Sequence, residues 1–165
     1  MRRNITDGCN AVRLQGSLKS TDGKSIMTYI QDLNAAMRAT EDWIDDLMRR
    51  LSWHDRERVY LALIASLHAV RDCLPRDEAV HVGAHLPSLL RGLYYEGWHP
   101  GGARHGKSRN AFLERIHDGL RRDPGVDAEQ VARAVFGLLA ARLPPSEVED
   151  AMAATPHALH NLWPS

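Results

Sequence analysis

The sequence predicts an all-α fold of about eight helices, arranged as two tandem four-helix repeats in a pseudo-twofold bundle. Three observations predict it. Apolar residues recur at spacings of three and four along most of the chain, which keeps one face of a helix apolar. No segment alternates apolar and polar residues as a half-buried strand would. The second half of the chain copies the first at a fixed offset.

Residues 1–25 show no period, carry Gly8, Gly16 and Gly23, and read as a disordered N-terminal extension, within or beyond which Met27 offers an alternative start. The first repeat spans 26–97. Thr28 and Gln31 have the spacing of a capping box, in which the hydroxyl and the amide satisfy orphan N–H groups at a helix start. Ile26, Ile30, Leu33, Met37, Thr40, Ile44, Leu47 and Leu51 then form one continuous stripe expected to face the core. A second helix is expected from Asp55 to Cys73, with Val59, Leu63, Leu67, Val70 and Leu74 inward. Two short helices follow, each with a proline (Pro75, Pro87) expected at its first position, where a missing N–H costs nothing.

Gly97 to Lys107 holds four glycines and a proline in eleven residues, so residues 98–107 read as a linker. The second repeat spans 108–165. Ser108 is placed to cap a helix carrying Phe112, Leu113, Ile116 and Leu120. Asp127, with Gln130 three residues on, is placed to cap one carrying Val131, Val135, Leu138 and Leu139. Pro144 and Pro156 open the last two.

The repeat has an offset of 69 residues. Leu74, Pro75, Glu78, Ala84, Pro87, Leu90 and Leu93 match Leu143, Pro144, Glu147, Ala153, Pro156, Leu159 and Leu162, seven identities in 21 ungapped positions. Composition alone gives roughly one or two. Upstream, Trp43, Ile44, Leu47 and Leu51 match Phe112, Leu113, Ile116 and Leu120, and Tyr94 matches Trp163. What recurs is packing residues and helix-starting prolines, which suits two similar units sharing a seam.

Lys+Arg and Asp+Glu are both 21, so the formal charge is zero and no electrostatic field draws the chain to nucleic acid or an anionic membrane. Little net repulsion also keeps copies apart, which favours self-association. The two cysteines, Cys9 and Cys73, form no CxxC motif and suit a reducing cytoplasm, the expected location. No apolar run has the ~20 residues of a membrane span.

Three stretches carry a family resemblance: Thr40–Leu51 running into Trp53–Arg56, Leu74–Pro87, and Leu90-Arg-Gly-Leu-Tyr-Tyr-Glu-Gly-Trp98. Together they resemble the bacterial family catalogued as domain of unknown function 2267, over residues 28 to 163. The resemblance implies a small helical protein with no assigned activity. Position 54 is His where the family pattern would carry a carboxylate helix cap.

Four groups of residues are candidates for a site. Tyr94, Tyr95, Glu96, Trp98 and His99 form an aromatic cluster beside the linker, of the amphipathic composition that binding surfaces use, with Tyr94 and Trp98 expected to close the core between the two units and Tyr95 and His99 expected to be exposed. Gly101 to Ser108 satisfies GxxxxGK[ST], but a P-loop needs a preceding strand and a helix is predicted there. A reduced form of that reading leaves Arg104, Lys107 and Ser108 as an anion site at a helix start. Asp77, His81 and His85, spaced by four, line one helix face and are weak candidates for metal ligands. His68 lies in a mostly apolar helix and reads as a buried, hydrogen-bonded histidine.

No nucleophile–base arrangement stands out and no cofactor is implied. The sequence therefore reads as a non-enzymatic helical module that binds a protein partner or itself. A small-ligand or metal site in the first repeat is the alternative, and nucleotide binding at the linker the third reading.

Overall fold

The structure, a computed structural model, describes residues 23–101 and 108–164. Those residues form seven α-helices and a terminal 3₁₀ helix, with no strand among them. In chain order they are α1 (Gly23–Leu51), α2 (Arg56–Cys73), α3 (Arg76–Ala84), α4 (Ser88–Tyr95), α5 (Arg109–Gly119), α6 (Ala128–Arg142) and α7 (Pro145–Ala154), then the 3₁₀ helix (His157–Leu162).

Capping follows the sequence closely. Asp55 accepts from the Arg58 N–H, Ser108 from the Ala111 N–H, and Asp127 from the N–H groups of Glu129 and Gln130. Each satisfies a donor that the first helical turn would leave orphaned. Thr28, by contrast, lies inside α1, which starts at Gly23, so the expected capping box does not begin the helix. The prolines stand one residue earlier than expected. Pro75, Pro87, Pro144 and Pro156 are N-caps in extended conformation, and their fixed φ aims the chain into each short helix.

One continuous core runs through the molecule. α2 is its axis. It packs along α5, and also meets α1, α3, α4 and α6. All five inward residues expected of it are buried. Gly119 of α5 lets the two helices approach, because an added Cβ would stand 2.5 Å from the Ala65 Cβ. α1 lies against α6, and α3 against α7. Phe136 joins the layers, stacking on Phe112 at 5.8 Å and on Trp163 at 4.4 Å between ring centroids.

Only half of the α1 stripe behaves as expected. Trp43, Ile44, Leu47 and Leu51 are buried, whereas Ile26, Ile30, Leu33 and Met37 are exposed. The reason is length. α6 ends beside the middle of α1, where Arg142 donates to the Asp42 carbonyl and to the Asp46 carboxylate and lies over the Trp43 ring. Upstream of that level α1 has no described neighbour to bury its apolar face. The extension expected over 1–25 lies outside the described residues, except for Gly23–Ser25, which open α1.

Two pairs of positions 69 apart share backbone conformations, whereas Arg122 takes φ 53° and its counterpart Trp53 has no positive φ. Ser52 and Arg121, the residues after Leu51 and Leu120, both take a left-handed φ, 55° and 56°. Leu74 and Leu143 cap α2 and α6 at nearly the same angles, φ −77° and −88° with ψ 155° and 156°.

Candidate functional site

The aromatic residues after the second proline gather where α4 ends. Gly97 takes φ 65°, a left-handed conformation that glycine adopts without strain, and this turns Trp98 back over the helix end. The Trp98 N–H donates to the Tyr95 carbonyl at 3.1 Å, and the two rings stack at 5.4 Å. Tyr95 also meets Tyr94 edge-on at 5.0 Å and donates its hydroxyl to the Val80 carbonyl. Gly83 on α3 leaves the space that the Tyr95 phenol occupies.

These residues divide into two sets. Tyr94 is fully buried, and its hydroxyl donates to the Ala79 carbonyl at 2.9 Å. Burial pushes its phenol far above the ordinary value, so it is a neutral packing residue and is removed from any binding surface. Tyr95 and Trp98 are half-buried, while Glu96 and His99 are exposed. The His99 Nδ1–H donates to the Gly97 carbonyl at 3.1 Å, and burial raises the Tyr95 phenol above its usual range. What faces solvent is thus the Tyr95–Trp98 stack flanked by Glu96 and His99.

Beneath this corner lies a polar cluster that the sequence reading did not assemble. Arg71 and Asp72, near the end of α2, are 3% and 8% exposed. The Arg71 Nε donates to Asp72 Oδ1 at 2.7 Å. Its Nη1 donates to the carbonyls of Tyr94 and Glu96, which the end of α4 leaves without helical partners. Arg115 of α5 donates to Asp72 Oδ2. One turn earlier, the His68 Nε2–H donates to the Leu93 carbonyl at 2.7 Å. Burial is the main reason that His68 has a lowered pKa, which the hydrogen bond to Leu93 partly offsets.

Both Asp72 oxygens are occupied by guanidinium donors, so the cluster offers a clamp rather than a proton acceptor. A signal for it was in the sequence. Arg71 follows Leu63 and Leu67 at spacings of four, which puts a charge on the inward row of α2.

The remaining candidates are not brought together. Asp77, His81 and His85 are all exposed, and residues i and i+8 are about 12 Å apart along a helix axis, too far to share one ion. His85 instead caps the end of α3 and faces Glu147 of α7 at 3.5 Å. Among the described residues no three His, Cys, Asp or Glu are placed to hold a metal, which corrects the metal reading. Arg104 and Lys107 lie outside the described residues. Most of the GxxxxGK[ST] match also lies outside the described residues; the element before it is helix α4, as expected, and the Ser108 hydroxyl accepts from the Ala111 N–H at the start of α5. A shallow depression between the α1–α2 and α5–α6 turns is lined in part by Arg58, which lies 4.5 Å over the Trp53 ring and pairs with Asp123 at 3.0 Å.

The aromatic corner and its clamp are framed by sequence that matches a known family. Residues 40–162 match the family described as uncharacterized conserved protein, DUF2267. The chain belongs to that family. No curated protein matches it. The DUF2267 match takes in α2 to α7 and the 3₁₀ helix, but it opens at Thr40, inside α1. The exposed first half of α1 therefore lies upstream of the matched DUF2267 segment.

Two outcomes test the clamp. Arg71→Met strands the Asp72 carboxylate and the α4 carbonyls, and should cost about 3–5 kcal/mol in chemical denaturation. A loss below about 1 kcal/mol would mean that the cluster is not buried in solution. For His68 the folded pKa lies below the unfolded one, so its stabilisation is present above about pH 6.5 and is lost as pH falls below it. Denaturation midpoints followed from pH 7.5 to 5 should fall faster for the parent than for His68→Gln, and parallel curves would contradict the assignment.

Proposed function

We propose that this protein is a non-enzymatic helical module that binds a protein partner or itself. The observation that carries the reading is the row of large apolar side chains, Ile26, Met27, Tyr29, Ile30, Leu33 and Met37, exposed along the first half of α1. Monomeric proteins rarely leave contiguous apolar patches of more than a few hundred Å² in water, and larger ones mark interaction sites. Zero formal charge adds no repulsion between copies. The Tyr95–Trp98 stack is a second, smaller surface of suitable composition. A cytoplasmic location is part of the proposal. It draws on the cysteine usage and on the fact that no described helix is long and apolar enough to cross a membrane.

The architecture that presents these surfaces is, in this reading, a duplicated unit. α1 to α4 form one copy, and α5 to α7 with the 3₁₀ helix form the other, about a pseudo-twofold axis. Support comes from reciprocal packing: α1 lies on α6 as α5 lies on α2, while α3 meets its own counterpart α7. Two of the ion pairs between units also resemble one another, although their partners Asp72 and Arg142 are one residue out of the 69-residue register. Asp46 and Arg115 are 69 residues apart, and each pairs with a residue at the end of the opposite unit's second helix, Arg142 and Asp72, with acid and base exchanged. If the units are equivalent, Leu90→Ala and Leu159→Ala, at matched buried positions, should each lower stability by about 2–5 kcal/mol. A large loss at one and almost none at the other would count against the duplication.

Native mass spectrometry of protein purified without chelator tests the functional reading. The expected result is a protein assembly with no bound metal or small molecule. A monomer carrying a stoichiometric ligand would overturn it.

A further inference from the structure

α1 is 29 residues long, about 43 Å at 1.5 Å per residue, and the core occupies only its second half. Ile26, Ile30, Leu33, Met37, Thr40, Ile44, Leu47 and Leu51 are spaced by four and three in strict alternation. This is the a/d seam of a heptad repeat, and it runs without a phase break from the exposed half into the buried half. The buried half spends its seam on the fold, since Ile44, Leu47 and Leu51 are in the core. The exposed half presents the same seam to solvent, with Ile26, Met27, Tyr29, Ile30, Leu33 and Met37 each between 49% and 69% exposed.

We propose that this exposed seam pairs with the same seam of a second copy, making the protein a homodimer joined through the first half of α1. The proposal rests on the interaction role above and assigns its partner.

Three features select a second copy. The seam is self-complementary, as a twofold contact between identical patches requires. The flanking positions that meet across a coiled coil, Met27, Tyr29, Asn34 and Ala36, are uncharged, so identical chains meet without like-charge repulsion, while Asp32 and Arg38 sit on outward positions. The area also fits. Six large apolar side chains, each between 49% and 69% exposed, make a patch of a few hundred Å² per copy, at the low end of specific interfaces. The exposed seam also stands upstream of the family match, which begins at Thr40. Residues 1–22 are a poorer occupant. Their large aliphatic residues after Met1, namely Ile5, Val12, Leu14 and Leu18, are spaced by seven, two and four and offer no matching heptad.

Sedimentation velocity of the full chain over roughly 1–200 µM is the test, since an interface of this size gives a concentration-dependent dimer. The expected result is an apparent mass that doubles across the range. Ile30→Glu with Leu33→Glu should leave a monomer throughout. Because both positions lie outside the core, the unfolding midpoint of that variant should match the parent's at a concentration where the parent is monomeric. Gln31→Lys with Ala35→Glu, on the opposite face, should still dimerise. A parent that is monomeric at every concentration overturns the proposal, and leaves the seam to residues 1–22 or to a different protein. A dimer that survives Ile30→Glu with Leu33→Glu also overturns it, while the wider interaction role then stands on another surface.

Discussion

Arg71 enters the interior at the junction of α2, α4 and α5, where its Nε and Nη1 donors find partners. Taking a guanidinium and a carboxylate out of water costs several kcal/mol per ion, and their mutual attraction offsets this only where further hydrogen bonds complete the set. The fold supplies them from three directions. Asp72 comes from the next residue of α2, the carbonyls of Tyr94 and Glu96 come from the end of α4, and Arg115 reaches in from α5. Arg71 thereby neutralises carbonyls that the last turn of α4 would leave orphaned, and it fixes where that helix stops. The turn at Gly97 and the Tyr95–Trp98 stack follow from that stop.

The same junction joins the two halves of the molecule. Arg115–Asp72 crosses between them at one point and Arg142–Asp46 at another, and the apolar seams between α2 and α5 and between α1 and α6 run alongside. Under the proposed duplication Asp46 and Arg115 are matched positions, and their partners Arg142 and Asp72 stand one residue out of register with the charges exchanged. Such an exchange keeps each pair attractive while making the halves non-identical. An Asp72 left opposite a second carboxylate, or an Arg142 opposite a second guanidinium, would be repelled.

Placing the core around the second half of α1 leaves the first half as a projecting rod. A helix shorter than about 12–15 residues is marginal by itself in water, and here the rod is continuous with a stretch already held in helical form by the core. The buried half thus supplies the nucleus from which the exposed half propagates. A projecting helix prepared in this way loses less conformational entropy on association than a segment that must order on binding. The core and the proposed contact surface are therefore parts of one element, separated by the level at which α6 ends.

Much of the fold could be read from local pattern. The inward rows of α2 and α6, the caps at Asp55, Ser108 and Asp127, and the helix-starting prolines all depend on residues within one or two turns of each other, so spacing along the chain reports them. The candidate site was legible only in part. Its aromatic residues are nearly consecutive and visible, but Tyr94 and Tyr95, adjacent in sequence and both bonded to carbonyls of α3, differ in that the first is fully buried and the second only half-buried. The clamp beneath them joins residues 23 to 43 positions apart, and composition cannot say whether an Arg on an apolar row is buried with partners or points to water. For the same reason the sequence alone set the heptad register of α1 from Ile26 to Leu51, a property of spacing within one helix. Only the tertiary structure decided which part of that register is core and which part is surface, because that depends on where the neighbouring helices end.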